Sequence, residues 1–208
     1  MKFILLVLIL AIIAAVYLYI ENHFILAKRH EDFGGDVKIL HISDCHKRNN
    51  STYNKRILSA AQQEKPDLIF ITGDFVSRTE TDFSLCEAFL HGLCEIAPVY
   101  LCMGNHEQSF IHDNQQEFLD AMHRTKAEIL MNSGRHVKIK GREFYICGVM
   151  PEYSVYKKDG GYKNLDDFTL DDMKKNLGDC PRGEVLLLAH NPLFGAVYAD
   201  WGADYTFS

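Results

Sequence analysis

Four short stretches of this chain put metal-type ligands directly after apolar runs. Val37 to Ile42 leads into Ser43-Asp44-Cys45-His46, and Leu68 to Thr72 leads into Gly73-Asp74. Pro98 to Met103 leads into Gly104-Asn105-His106-Glu107, and Glu184 to Ala189 into His190-Asn191. A carboxylate and an imidazole at positions i and i+2 point the same way wherever the chain stays extended, which makes half of a divalent-metal site. Carboxylate, amide and imidazole donors without a thiolate suit Mn, Fe or Zn better than copper. Singly, each stretch has a plain structural explanation. An Asp after a strand caps a helix or holds a turn, an Asn holds a left-handed turn, and a His sits satisfied in an interior. Together they point to one shared site, because open α/β sheets build ligand sites beyond the carboxyl ends of their strands. Gly73 and Gly104 fit sharp exits that bring backbone close to that site.

The elements that must position these residues follow from periodicity. Strands are expected over 37–43, 68–72 and 98–103, separated by helices over 52–64 and 82–95 and followed by a helix over 112–124. Short strands are then expected over 127–131, 136–140 and 143–149, and a loop over 150–164. A helix over 165–177, a strand over 184–189, a short helix over 192–201 and a strand starting at Tyr205 complete the chain. Repeated β-α-β units followed by a strand-rich part give an α/β fold with a mixed sheet arrangement.

With 208 residues, 47% hydrophobic and 24% charged, the chain supports one domain with a real core. A net charge of -6, with lysines and arginines scattered or in short pairs, argues against a nucleic-acid surface and hence against a nuclease. Six cysteines without a Cys-x-x-Cys pair read as small buried hydrophobes rather than a disulfide scaffold.

Phe3 to Ile20 is a run without a charged residue, close to the length that spans a bilayer's roughly 30 Å hydrocarbon core. It ends in Tyr17-Leu18-Tyr19-Ile20 with no obvious cleavage site, so residues 1–21 are expected to be an uncleaved transmembrane anchor. Residues 22–36 read as a polar linker and 37–208 as the folded domain. Lys2 and the amino terminus compete with Lys28 and Arg29 across the run, so charge leaves the orientation open.

The four blocks ISDCH, TGDFV, MGNHE and LAHNP resemble, in order and spacing, those of the calcineurin-like metallophosphoesterases. With the apolar start, the set looks most like the YkuE-type branch of membrane-anchored bacterial phosphohydrolases. The resemblance implies a two-layer β-sandwich flanked by helices (α-β-β-α) and two divalent metal ions (Mn, Fe or Zn). It places Asp44 and His46 on the first metal, Asp74 between both, and Asn105 and His190 on the second. His106 would stabilise or protonate the leaving oxygen, oriented by Glu107. The implied activity is hydrolysis of a phosphomonoester, phosphodiester or pyrophosphate by an activated water, on a small or lipid-linked substrate. The implied location is the cell membrane, single-pass, leaning extracytoplasmic.

Three features depart from that pattern. Cys45 stands where an aliphatic residue is usual, and Met150-Pro151 where acidic residues are frequent. A final Gly-His-x-His block, whose histidines would complete the metal shells, does not occur, and the chain stops at Tyr205-Thr206-Phe207-Ser208. The expectation is therefore a C-terminally truncated domain lacking its last strands. A non-catalytic binding module is the alternative if the chain ends naturally at Ser208. Arg48 and Arg78 are further candidates for phosphate contact. The loop from Tyr153 to Tyr162, with Tyr156, Lys157 and Lys158, is either a headgroup contact or a solvated loop.

Overall fold

Alternation along the apolar runs decides how this chain layers. The computed structural model describes residues 2–24, 29–32, 34–46, 51–113, 115–156 and 168–208. In β2 (Leu68–Thr72), Ile69 and Ile71 face a helix layer while Leu68 and Phe70 face the second sheet. All four are fully buried, and each such side chain contributes about 1.5–3 kcal/mol through removal from water. In β7 (Glu184–Ala189) the pattern is mirrored: Leu186 and Leu188 point between the sheets, and Val185, Leu187 and Ala189 face outward under helices.

The first sheet holds β1 (Ile39–Ile42), β2, β3 (Val99–Cys102) and β4 (Glu128–Ile129), all parallel and in chain order. Parallel neighbours need crossovers. These are α2 (Ser51–Glu64), α3 (Ser84–Cys94), and the pair α4 (Asn105–His112) and α5 (Gln116–His123). In the second sheet β5 (Ser133–Ile139) pairs antiparallel with β6 (Arg142–Val149), and β6, β7 and β8 (Tyr205–Phe207) run parallel. The β5–β6 hairpin closes through Lys140-Gly141, both with positive φ, as a two-residue turn requires. The helix α7 (Leu170–Leu177), a 3-10 turn (Pro192–Phe194) and α8 (Gly195–Trp201) cover the outer face of this sheet. Two sheets flanked by helices is the layering expected, with a mixed second sheet.

Several elements differ from expectation. The helix expected over 112–124 is α5, and an unexpected helix, α4, precedes it, starting at Asn105 inside a ligand block. Gly104 caps it: its N–H donates to the Glu107 carboxylate at 2.9 Å, a local bond that a hydrophobic period does not reveal. The expected loop after Met150 holds a short helix, α6 (Tyr153–Tyr156), and α7 begins only at Leu170, behind a Thr169–Asp172 capping box. Tyr156 is buried, so for this residue neither the headgroup contact nor the solvated loop holds. The other half of that expectation, Lys157 and Lys158, lies outside the described residues, as do Arg48 and Lys28.

At the amino end α1 (Lys2–Phe24) carries exposed apolar side chains from Ile4 to Ile20. Among the described residues no helix is long and apolar enough to cross a membrane. The crossing expected of residues 3–20 thus finds no support in the structure, which shows an exposed apolar helix instead.

Candidate metal centre

The first ligand pair converges by a route that extended geometry does not predict. The strand β1 ends at Ile42, and both Asp44 (φ 55°) and His46 (φ 41°) adopt left-handed backbone. Their convergence is set by the neighbouring loop: Asp44 N–H donates to Gly73 O at 3.1 Å and His46 N–H to Asp74 O at 2.9 Å. Cys45 between them is buried in the core under the first sheet, as a packing residue. Asp74 is itself left-handed (φ 51°). Three non-glycine residues in this sparsely populated region within one site mark backbone held against its preference by its surroundings.

Two glycines allow the loops to meet. Gly73 has φ +86°, and a Cβ there would lie 2.5 Å from Gly104 Cα. A Cβ on Gly104 would lie 2.5 Å from Asp74 N. No side chain fits between these backbones.

Asp74 sits at the centre, its side chain 5% exposed. Its Oδ2 faces three imidazoles: His190 Nε2 at 3.5 Å, His46 Nε2 at 3.6 Å and His106 Nε2 at 3.8 Å. Asp44 Oδ1 lies 3.4 Å from His46 Nε2, and Asn105 Oδ1 lies 3.2 Å from His190 Nε2. Asp44, Asp74 and His190 form one close group and His46, Asp74 and His106 another, so Asp74 belongs to both. All six residues singled out in the sequence are therefore brought together. The close groups put Asp44 with His190 and His46 with His106, while Asp44 and His46 also lie against each other.

Hydrogen bonding fixes the imidazole tautomers. His190 Nδ1 lies 2.9 Å from the Thr72 carbonyl, which only accepts, so Nδ1 carries the proton and Nε2 presents a lone pair. That lone pair faces Asn105 Oδ1, a second acceptor, at 3.2 Å. Two acceptors at this distance repel unless a proton or a metal cation lies between them. Tetrahedral ligands about 2.1 Å from an ion stand ~3.4 Å apart, the separation seen among these donors. The donor set fits a divalent metal.

The sequence pattern of calcineurin-like phosphoesterases matches residues 37–206. The chain belongs to this family. It is 24% identical over 177 residues to the uncharacterized metallophosphoesterase YkoQ of Bacillus subtilis (strain 168), covering 83% of this chain and 59% of that protein. It is 25% identical over 127 residues to the phosphodiesterase YaeI of Escherichia coli (strain K12), covering 57% of this chain and 45% of that protein. The chain thus spans about half the length of these curated relatives. The crystal structure of TT1561 of Thermus thermophilus superposes with a TM-score of 0.56 at 13% identity, over 82% of this chain and 80% of that one. That likeness confirms the layered fold.

In this family member His106 is neutral at the site. Burial holds its pKa below the usual imidazole value, outweighing the Asp74 carboxylate, with His46 and the Arg78 charge pushing the same way as burial. Arg78 N–H donates to His106 Nδ1 at 3.1 Å, so His106 Nε2 carries the proton and faces the site as a donor. His46 Nδ1 lies 3.2 Å from the same nitrogen, and His46 Nε2 points toward Asp74 Oδ2 at 3.6 Å. Arg78 therefore acts here through its backbone and its nearby charge.

Glu107 does not orient His106 as expected. Fully buried, it accepts three backbone N–H groups: Asp74 N at 2.7 Å, Gly104 N at 2.9 Å and Val76 N at 3.1 Å. Burial pushes its pKa up to about 7, helped by the Asp74 charge and opposed by these three donors. It ties the loop after β2 to the start of α4. Other supports went unread in the sequence. Thr72 gives its carbonyl to His190, and Tyr198 donates to Asn191 O at 3.0 Å, fixing the turn after β7. Asn132 bridges to Met150 through two bonds, 2.7 and 3.0 Å, which tie the start of β5 to the residue after β6.

Proposed function

We propose that this protein is a metal-dependent phosphoesterase that hydrolyses a small or lipid-linked phosphoester at the centre around Asp74. The observation that carries the reading is the facing pair of acceptors, His190 Nε2 and Asn105 Oδ1, beside a buried carboxylate common to both donor groups. Asp44, His46, Asp74, Asn105 and His190 would hold two divalent ions. When bound, such ions supply charge neutralisation for a phosphoryl group and acidify water enough to attack it near neutral pH.

The chain's own residues do the rest. Asp74 keeps Oδ1 on the His106 N–H at 2.9 Å, which orients its carboxylate and leaves Oδ2 toward the imidazoles. The Thr72 carbonyl sets the proton on His190 Nδ1, so that His190 presents its Nε2 lone pair. His106 Nε2–H is placed to donate to an ester oxygen as charge develops on it. Gly73, Gly104 and Glu107 hold the loops rigid so that these groups need no rearrangement during the reaction.

The test is hydrolysis of bis-para-nitrophenyl phosphate by the Mn²⁺-loaded protein. Chelation should abolish turnover, and Asp74→Asn should lower it at least 100-fold, since losing even a group that supports a ligand costs about 10–100-fold. Turnover undiminished by either treatment would overturn the reading.

We also infer that α1 seats the protein on a lipid bilayer. The uncharged run from Phe3 to Ile20 and the exposed apolar side chains from Ile4 to Ile20 support this. The full chain should float with phosphatidylcholine vesicles and a chain starting at residue 29 should not. Equal flotation would refute the inference.

A further inference from the structure

Two buried side chains beside the metal centre have hydrogen-bonding capacity that the described residues leave unmet. Gln108 lies on α4, three residues after Asn105 and two after His106, and is 4% exposed. Tyr156 closes α6 and is 8% exposed. Neither Gln108 Nε2 nor Tyr156 Oη has a partner among the described residues. Almost every buried donor in a folded protein is paired, so two unpaired ones side by side call for an explanation.

Their place in the fold supplies one. The helix α6 follows directly from β6, whose last residue Val149 is in register with Ala189, the residue before His190. It packs on α4, which carries Asn105 and His106. The Gln108 side chain lies beside the Tyr156 hydroxyl, whose pKa burial raises, with Cys102 and then the Asp74 charge adding to it. The phenol therefore stays protonated and acts as a donor. Two convergent donors with no acceptor, beside a site built for a phosphoryl group, match an acceptor oxygen.

We propose that Gln108 Nε2 and Tyr156 Oη form a two-donor subsite for an oxygen of the phosphorylated substrate. This deepens the phosphoesterase reading and rests on it. Among the described residues the only polar neighbour of the Tyr156 hydroxyl is the Gln108 side chain, so a substrate oxygen placed against the pair would take a bond from each. Because both groups are shielded from bulk water, they select for a hydrogen-bonding oxygen rather than for charge alone. Both are substrate contacts and neither is a metal ligand.

Tyr156→Phe removes only the hydroxyl, and Gln108→Leu only the amide. In the Mn²⁺-loaded protein each should raise KM for bis-para-nitrophenyl phosphate about tenfold, with Mn²⁺ affinity and thermal midpoint unchanged or the midpoint raised. A purely structural pair would leave KM where it is, and that result overturns the subsite. If the wild type shows no metal-dependent turnover, the phosphoesterase reading fails separately. Calorimetric binding of orthophosphate in the presence of Mn²⁺ then decides the subsite, with about tenfold weaker binding in Tyr156→Phe expected and equal binding refuting it.

Discussion

The two ends of the sandwich treat charge in opposite ways. At the amino ends of the strands, the acidic groups that the sheets bring together meet cations. Asp67 accepts Lys38 N–H and pairs with Lys140 at 2.7 Å. Glu184 takes Arg142 Nη2 on both oxygens at 2.7 Å, and the same guanidinium reaches Asp36 and lies 5.0 Å from the Phe144 ring centroid. Lys38 also pairs with Glu64 at 2.7 Å. At the carboxyl ends, Asp44, Asp74 and Glu107 gather with three histidines, and the two most buried carboxylates, Asp74 and Glu107, are held by imidazoles and backbone N–H groups. One end has cancelled its charges within the protein. The other keeps anionic and lone-pair groups facing one another, at a cost in folding, and so presents a site for cations from outside.

The contrast sharpens into measurable differences. The largest is expected at Glu107. Glu107→Gln keeps the shape, yet an amide supplies one acceptor oxygen where three N–H groups need two, so at least one buried donor is stranded. That costs about 1–3 kcal/mol, read as a lower thermal midpoint. The displaced Asp74 loop should also weaken Mn²⁺ binding by about 10–100-fold. If neither the midpoint nor the affinity moves, Glu107 is not the brace. The smallest effect is expected at the opposite end. Arg142→Ala removes an ion pair that water already screens, so the thermal midpoint should barely move and Mn²⁺ affinity should stay unchanged. A change in metal affinity there would show that the two ends are coupled, and would break the comparison.

Most of the layering was legible because burial on both faces writes itself into the sequence. The runs at Leu68–Thr72 and Glu184–Ala189 are continuous and apolar, and both are strands at those bounds. The start of α4 was not legible, because Asn105 and His106 read as loop ligands and the Gly104–Glu107 cap is a local bond, not a period. The six residues that converge around Asp74 were singled out by type and by their place after strands. How Asp44 and His46 converge was not, since extended alternation assumes a backbone that bonds to Gly73 O and Asp74 O pull into the left-handed region. The role of Glu107 was hidden for a related reason. Its partners on the β2 loop are backbone groups of residues far away in the chain, which carry no side-chain signature.

The left-handed backbone at Asp44, His46 and Asp74 also limits what can ever replace these residues. Asp, Asn and His are several-fold enriched at positive φ and glycine is indifferent to it, whereas β-branched and bulky residues are outliers there. The site's alphabet is thus written twice, once by the donor atoms an ion needs and once by the main chain that carries them. Sequences drifting under selection for folding alone would still spell those three positions with a handful of letters, most of which happen to be ligands. The scaffold favours the retention of a metal site even where catalysis is no longer asked of it.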